Sequence, residues 1–147
     1  MILLDVNVLV YAHREDAVDH TQYKQWLEGV IKGGQPYGMS DHVLSGFLRI
    51  VTHPRVFTPP SPIQAALDFA RQVRDQPDCR AVAPGLRHWQ IFTELCQKTS
   101  ATGNLIPDVW FAALAIESDY EWITTDRDYR QFPGLRWRHP LTGEASG

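Results

Sequence analysis

Four aspartates stand where an α/β chain can use them for chemistry. Asp5 ends the apolar run MILLD, Asp126 ends EWITTD, Asp108 follows Pro107 at the opening of WFAALAI-type helical sequence, and Asp128 lies two residues beyond Asp126. Carboxylates gathered in one cleft repel one another and raise their own pKa values unless a hard cation compensates. Oxygen donors with few histidines or cysteines select Mg²⁺ or Mn²⁺ over zinc. His13, His20, His42, His53, His88 and His139 show no HExxH spacing, which weighs against a zinc hydrolase. Each acid also has an ordinary reading: Asp5 as a helix N-cap, Asp108 as a complement to a helix's positive end.

Whether these acids meet depends on the elements that carry them. Ile2, Leu3 and Leu4 read as a short buried strand with Asp5 at its C-terminal end. HTQYKQWLEGVIKGG (20–34) places Tyr23, Trp26, Leu27 and Val30 at helical spacing and stops at a glycine pair. PYGMS holds a strand, Ser40 or Asp41 caps a helix through DHVLSGFLRIVT, and His53-Pro54 ends it. TPPSP turns the chain into the helix IQAALDFARQVRD, with Ile63, Leu67, Ala70 and Val73 on one face. CRAVAP reads as a strand, and LRHWQIFTELCQKTS as a helix with Leu86, Trp89, Phe92 and Cys96 along one side. Pro107 opens a further helix whose face is Val109, Ala112, Ala113 and Ile116, and EWITTD is another strand ending in an acid. This order predicts an α/β domain with a mainly parallel sheet covered on both faces. Right-handed crossovers bring the C-terminal strand ends to one edge, so Asp5 and Asp126 can share a site although about 120 residues separate them.

The chain has 147 residues, a length for one domain, here 1–140, followed by a tail, 141–147, expected to be disordered. Cys79 and Cys96 form no CxxC pair, and no basic segment precedes an apolar stretch at the start, so a reducing, cytoplasmic setting without a membrane span is expected. The net charge of −3 speaks against general basicity toward nucleic acid. Four aspartates bound to a cation would bring the rest close to neutral. Arg127, Arg130, Arg136 and Arg138, interleaved with Tyr129, Phe132 and Trp137, suit contacts to phosphates and bases or, equally simply, a solvated edge with ordinary aromatic packing.

Four segments, MILLDVNVLVYA, VLSGFLRIVTHPRVF, NLIPDVWFAALAIESD and ITTDRDYRQFPGLRWRHP, in this order and spacing, resemble PIN-domain nucleases, and within them VapC-type toxins of bacterial toxin–antitoxin pairs. The resemblance implies a Rossmann-like sheet, an acidic site for divalent metal, and RNA cleavage by a homodimer that an antitoxin holds inactive. It assigns the acidic metal positions to Asp5, Asp108 and Asp126, the auxiliary acid to Asp128, and a small polar position to Asn7. One departure stands out: where many relatives carry a glutamate in the second helix, this chain has Gly46. Asp41 and His42 lie nearby and are read either as substitutes reaching the site or as a cap and a surface residue.

The mechanism expected is hydrolysis of RNA phosphodiesters by metal-activated water, leaving 5′-phosphate and 3′-hydroxyl ends. Asn7 and Thr125 are candidates to orient carboxylates, with capping or strand-end hydrogen bonds as the alternative for each. Tyr23, Trp26 and Phe47 are candidate antitoxin contacts or, alternatively, core. Two rival functions use the same residues: a PIN-like module that binds RNA or protein without catalysis, and an aspartate-dependent phosphatase, which expects an acid at Asn7 that this chain lacks.

Overall fold

Leu3 and Leu4 are both fully buried, and because successive strand residues point to opposite faces, their strand is covered on both sides. That strand, β1 (Ile2–Leu4), is the centre of a five-stranded, wholly parallel sheet in the computed structural model, which describes residues 1–147. Its companions are β2 (Tyr37–Met39), β3 (Cys79–Ala81), β4 (Glu121–Ile123) and β5 (Trp137–Arg138), in the order β3-β2-β1-β4-β5. β1 thus has β2 on one side and β4 on the other. The strand order reverses beside it, and in open parallel sheets the crevice at such a point, outside the carboxyl ends of the strands, is where ligands bind.

Six helices connect the strands: α1 (Val6–His13), α2 (His20–Lys32), α3 (Asp41–Val51), α4 (Ile63–Arg74), α5 (His88–Thr99) and α6 (Leu105–Ser118). They pack in two groups, α1 against α2 and α3 with α3 against α4, and α5 against α6. α1 is the element that residue patterning did not reveal. VNVLVYAH is rich in β-branched residues, poor helix formers, yet it becomes helical because Asp5 caps its first turn and Val6, Val8, Leu9, Val10 and Ala12 are buried. Tertiary packing outweighs a propensity loss of a few tenths of a kcal/mol per residue.

Several expected faces are corrected. Along α4 the buried residues are Ala66, Ala70 and Val73, while Ile63 is exposed in the first turn. α5 begins at His88, so Leu86 precedes it in solvent and Trp89 points outward; the buried side is His88, Phe92 and Leu95. α6 is buried nearly all round, Val109 and Phe111 through Ala115, as suits a helix laid on the sheet and covered by α5. β5 was not expected. Trp137 is buried in it, and the tail beyond Pro140 lies against it: Ala145 bridges to Arg138, and the Ser146 N–H donates to the Trp137 carbonyl at 2.9 Å. That pairing covers an otherwise open sheet edge.

Candidate active site

At the switch point the chain leaves β1 through Asp5 and β4 through Thr124, Thr125 and Asp126. Register decides which of these side chains meet. Leu4 lies opposite Ile123, so continuing the ladder sets Asp5 opposite Thr124, and in-register neighbours share a face while the next residue points to the other. The fully buried Thr124 hydroxyl donates to Asp5 Oδ2 at 2.7 Å and accepts the Asp126 N–H at 3.0 Å. Thr125 makes no side-chain hydrogen bond, so the orienting residue is Thr124 rather than the expected Thr125. In TTD either threonine fits; only the register distinguishes them.

Asp5 is 5% exposed, and its second oxygen, Oδ1, accepts the Val6 N–H at 2.6 Å as the N-cap of α1. Cap and cleft residue are therefore one and the same. Burial pushes its carboxyl from 3.8 up to about 7; the Thr124 and Val6 hydrogen bonds work against this, and the charges of Asp108 and Asp126 add to it. Asp108, in the first turn of α6, is half-buried and also raised, first by burial and then by Asp126, with Asp128 contributing. It accepts a hydrogen bond at 3.3 Å from the hydroxyl of Tyr129, a buried residue of the 3-10 turn Arg127–Gln131. Asp126 caps that turn, accepting the Asp128 N–H at 2.9 Å.

Asp5, Asp108 and Asp126 line one cleft of about 340 Å³, together with Asn7, Tyr129 and, from α3, His42, Ser45, Gly46 and Arg49. Asp128 is exposed and lies outside the lining, acting on Asp108 through its charge alone. His42 is solvent-exposed at the cleft, its ring centroid 5.2 Å from that of Phe111. Asp41 turns away to pair with Arg74 at 2.8 Å, and it is Ser40 that caps α3 through the His42 N–H. Gly46 does face the cleft, and a Cβ placed there would lie 3.1 Å from Val6 Cγ2 of α1. Thr124, Tyr129 and Arg49 are the site residues that sequence reasoning missed. Arg49 had a readable signal, its position seven residues after His42 on the same helical face.

No three His, Cys, Asp or Glu side chains are gathered into a ready cation cage. The donor set nevertheless fits a hard cation. Three oxygen-bearing side chains converge on a polar cleft, two of them pushed up first by burial and then by their neighbours' charges, and no lysine or arginine pairs with any of them. Mg²⁺ retains several waters and requires only one or two direct carboxylates.

The sequence profile of the PIN domain matches residues 2–135. The chain belongs to the PIN-domain family. Its curated relatives place it among the VapC-type members: ribonuclease VapC43 of Mycobacterium tuberculosis is 43% identical over 144 residues, 98% of each chain, and ribonuclease VapC25 of the same organism is 36% identical over 95% of this chain and 99% of that one. Among solved structures, VapBC2 from Rickettsia felis, bound to a DNA fragment from its promoter, superposes with a TM-score of 0.65 over 94% of this chain and 98% of the other at 19% identity, a likeness of fold.

Two surface readings of this PIN domain resolve toward their ordinary alternatives. Arg127 pairs with Glu144 at 2.6 Å, Arg136 with Asp119 at 2.9 Å and Arg138 with Glu121 at 3.0 Å, leaving Arg130 alone of the four without an acid. Tyr129, Phe132 and Trp137 are buried and unavailable for stacking on bases. Tyr23 and Phe47 are likewise core residues, whereas Trp26 is half-buried at the surface of α2. No helix is long and apolar enough to cross a membrane.

Proposed function

We propose that this chain is a Mg²⁺- or Mn²⁺-dependent endoribonuclease, the toxin of a toxin–antitoxin pair, which hydrolyses RNA to 5′-phosphate and 3′-hydroxyl ends. The observation that carries the reading is the convergence of Asp5, Asp108 and Asp126, from three separate segments, on one cleft at the sheet's switch point. Asp5, Asp108 and Asp126 would hold a divalent cation there, which would supply Lewis-acid polarisation of the scissile phosphate and lower the pKa of water. The chain's own residues supply position. Thr124 and the Val6 N–H fix both oxygens of Asp5, so that carboxylate cannot rotate away. Thr124 also ties the Asp126 backbone to Asp5, and the Tyr129 hydroxyl steadies Asp108. Asn7 lines the cleft as a neutral polar group, and Asp128 adds negative potential from outside it.

The names of the relatives, ribonucleases VapC43 and VapC25, support RNA as substrate. The VapBC2 assembly supports a protein partner, which we assign as a small cognate antitoxin; that the active chain is a homodimer we propose on the family resemblance alone. The deciding assay strips the protein of metal, incubates it with structured RNA and adds Mg²⁺ or Mn²⁺. Endonucleolytic fragments carrying 5′-phosphates, absent with Asp108→Asn, are expected. Release of inorganic phosphate alone would indicate the phosphatase, and RNA binding without cleavage the non-catalytic module.

A further inference from the structure

α3 presents one strip to the cleft, His42, Ser45, Gly46, Arg49 and Ile50, at the three- and four-residue spacing of a single helical face. Arg49 is the only arginine or lysine in that lining, and its side chain is exposed. It has no carboxylate within ion-pair distance, although three aspartates line the same cleft. The guanidinium is therefore unpaired at the cleft, one turn beyond Gly46 on the same face of α3.

We infer that Arg49 binds an RNA phosphate flanking the scissile one, an assignment that rests on the ribonuclease reading above. A phosphodiester strand entering a cleft of three carboxylates is repelled along its whole length, and the cation site compensates at one phosphate only. The next phosphate needs its own positive group, and a planar guanidinium meets two phosphate oxygens at once. Arg49 is a binding residue under this assignment; the carboxylates of the same cleft, Asp5, Asp108 and Asp126, carry the reaction.

The test measures binding apart from chemistry. Fluorescence anisotropy of a labelled single-stranded RNA is recorded in EDTA across a KCl series, with Asp108→Asn as the parent protein to remove residual cleavage. Arg49→Gln is expected to weaken binding about five- to tenfold at low salt and to flatten the slope of log K against log salt by about 0.7, the loss of one phosphate contact on a single strand. Arg49→Lys keeps the slope and loses part of the affinity. Lys32→Gln, in the last turn of α2 and leading to the opposite, N-terminal edge of the sheet, changes charge equally and leaves the slope unchanged. With the cleavage-competent protein and Mg²⁺, Arg49→Gln raises KM while kcat at saturating RNA stays within twofold. An unaltered slope and affinity in Arg49→Gln, with the parent still binding RNA, overturns this assignment and leaves the ribonuclease standing, as does loss of antitoxin binding alone. A wild-type protein that neither binds nor cuts RNA removes both.

Discussion

Asp5→Asn should stabilise the metal-free protein at neutral to alkaline pH and do nothing of the kind in acid. The Asp5 carboxyl is buried and raised from 3.8 to about 7, so holding it ionised in the fold costs about 4 kcal/mol relative to the unfolded chain. The sign follows from proton counts. Between about pH 4 and pH 7 the folded protein binds the proton and the unfolded chain has released it, so this group's contribution to stability falls as pH rises and levels off above pH 7. Asparagine has nearly the same shape, still caps α1 by accepting the Val6 N–H, and carries no charge to bury. Its amide offers the Thr124 hydroxyl no acceptor in place of Oδ2, which returns about 1 kcal/mol. The net expectation at pH 8 in EDTA is a gain of about 3 kcal/mol, or about 6–12 °C in Tm for a domain of this size. At pH 4, with the wild-type carboxyl already neutral, the variant should be equal or slightly less stable. Urea denaturation of both proteins from pH 4 to 8 measures the difference directly. Added Mg²⁺ should narrow it, because binding to the folded wild type offsets the repulsion. Equal stabilities at pH 8, or a difference that does not change with pH, would refute the picture of a buried, charge-crowded carboxylate.

The remaining predictions bear on the same cleft. Asp108→Asn and Asp126→Asn should each abolish metal-dependent RNA cleavage while circular dichroism and Tm show an intact fold; wild-type rates in either folded variant would remove the proposed mechanism. Thr124→Val should cost about 1–3 kcal/mol, since it leaves a buried carboxylate short of a donor and the Asp126 N–H without its acceptor, whereas Thr125→Val should stay within about 0.5 kcal/mol. Chemical denaturation of the pair tests the register argument, and equal effects would sink it. Gly46→Glu should fold after Val6 yields a few tenths of an ångström, and calorimetric titration should show tighter Mg²⁺ or Mn²⁺ binding than in wild type. Unchanged metal affinity in the folded variant would mean that Gly46 serves the contact between α1 and α3 and not the metal.

Period and punctuation made much of the architecture readable before any coordinates. An apolar run ended by Asp5, a glycine pair closing α2, Ser40 before α3, Pro107 in the first turn of α6: each is a local signal with a local cause, and each held its place in the fold. The aspartates were legible for the same reason, since an acid directly after a buried strand or in a helix's first turn has few places to go. α1 was not, because VNVLVYAH has the composition of a strand and becomes a helix only when its valines are buried. The outward face of Trp89, the choice between core and partner contact for Tyr23 and Phe47, and the pairing of the tail with β5 were also beyond local patterning. An amphipathic stripe shows that a face is covered but not which neighbour covers it.

What the sequence determined by itself is the inventory: the acids at strand and helix ends, a glycine inside a helix at position 46, and an alternation of elements that one parallel sheet can satisfy. What only the tertiary structure decided is who meets whom. The ladder that sets Leu4 against Ile123 chooses Thr124 over Thr125 as the partner of Asp5. The packing of α3 beside α1 puts Gly46, His42 and Arg49 on the cleft and turns Asp41 toward Arg74. The raised carboxyl of Asp5 exists in neither segment alone, because desolvation and the charges of Asp108 and Asp126 arise only when residues over a hundred positions apart share one buried site.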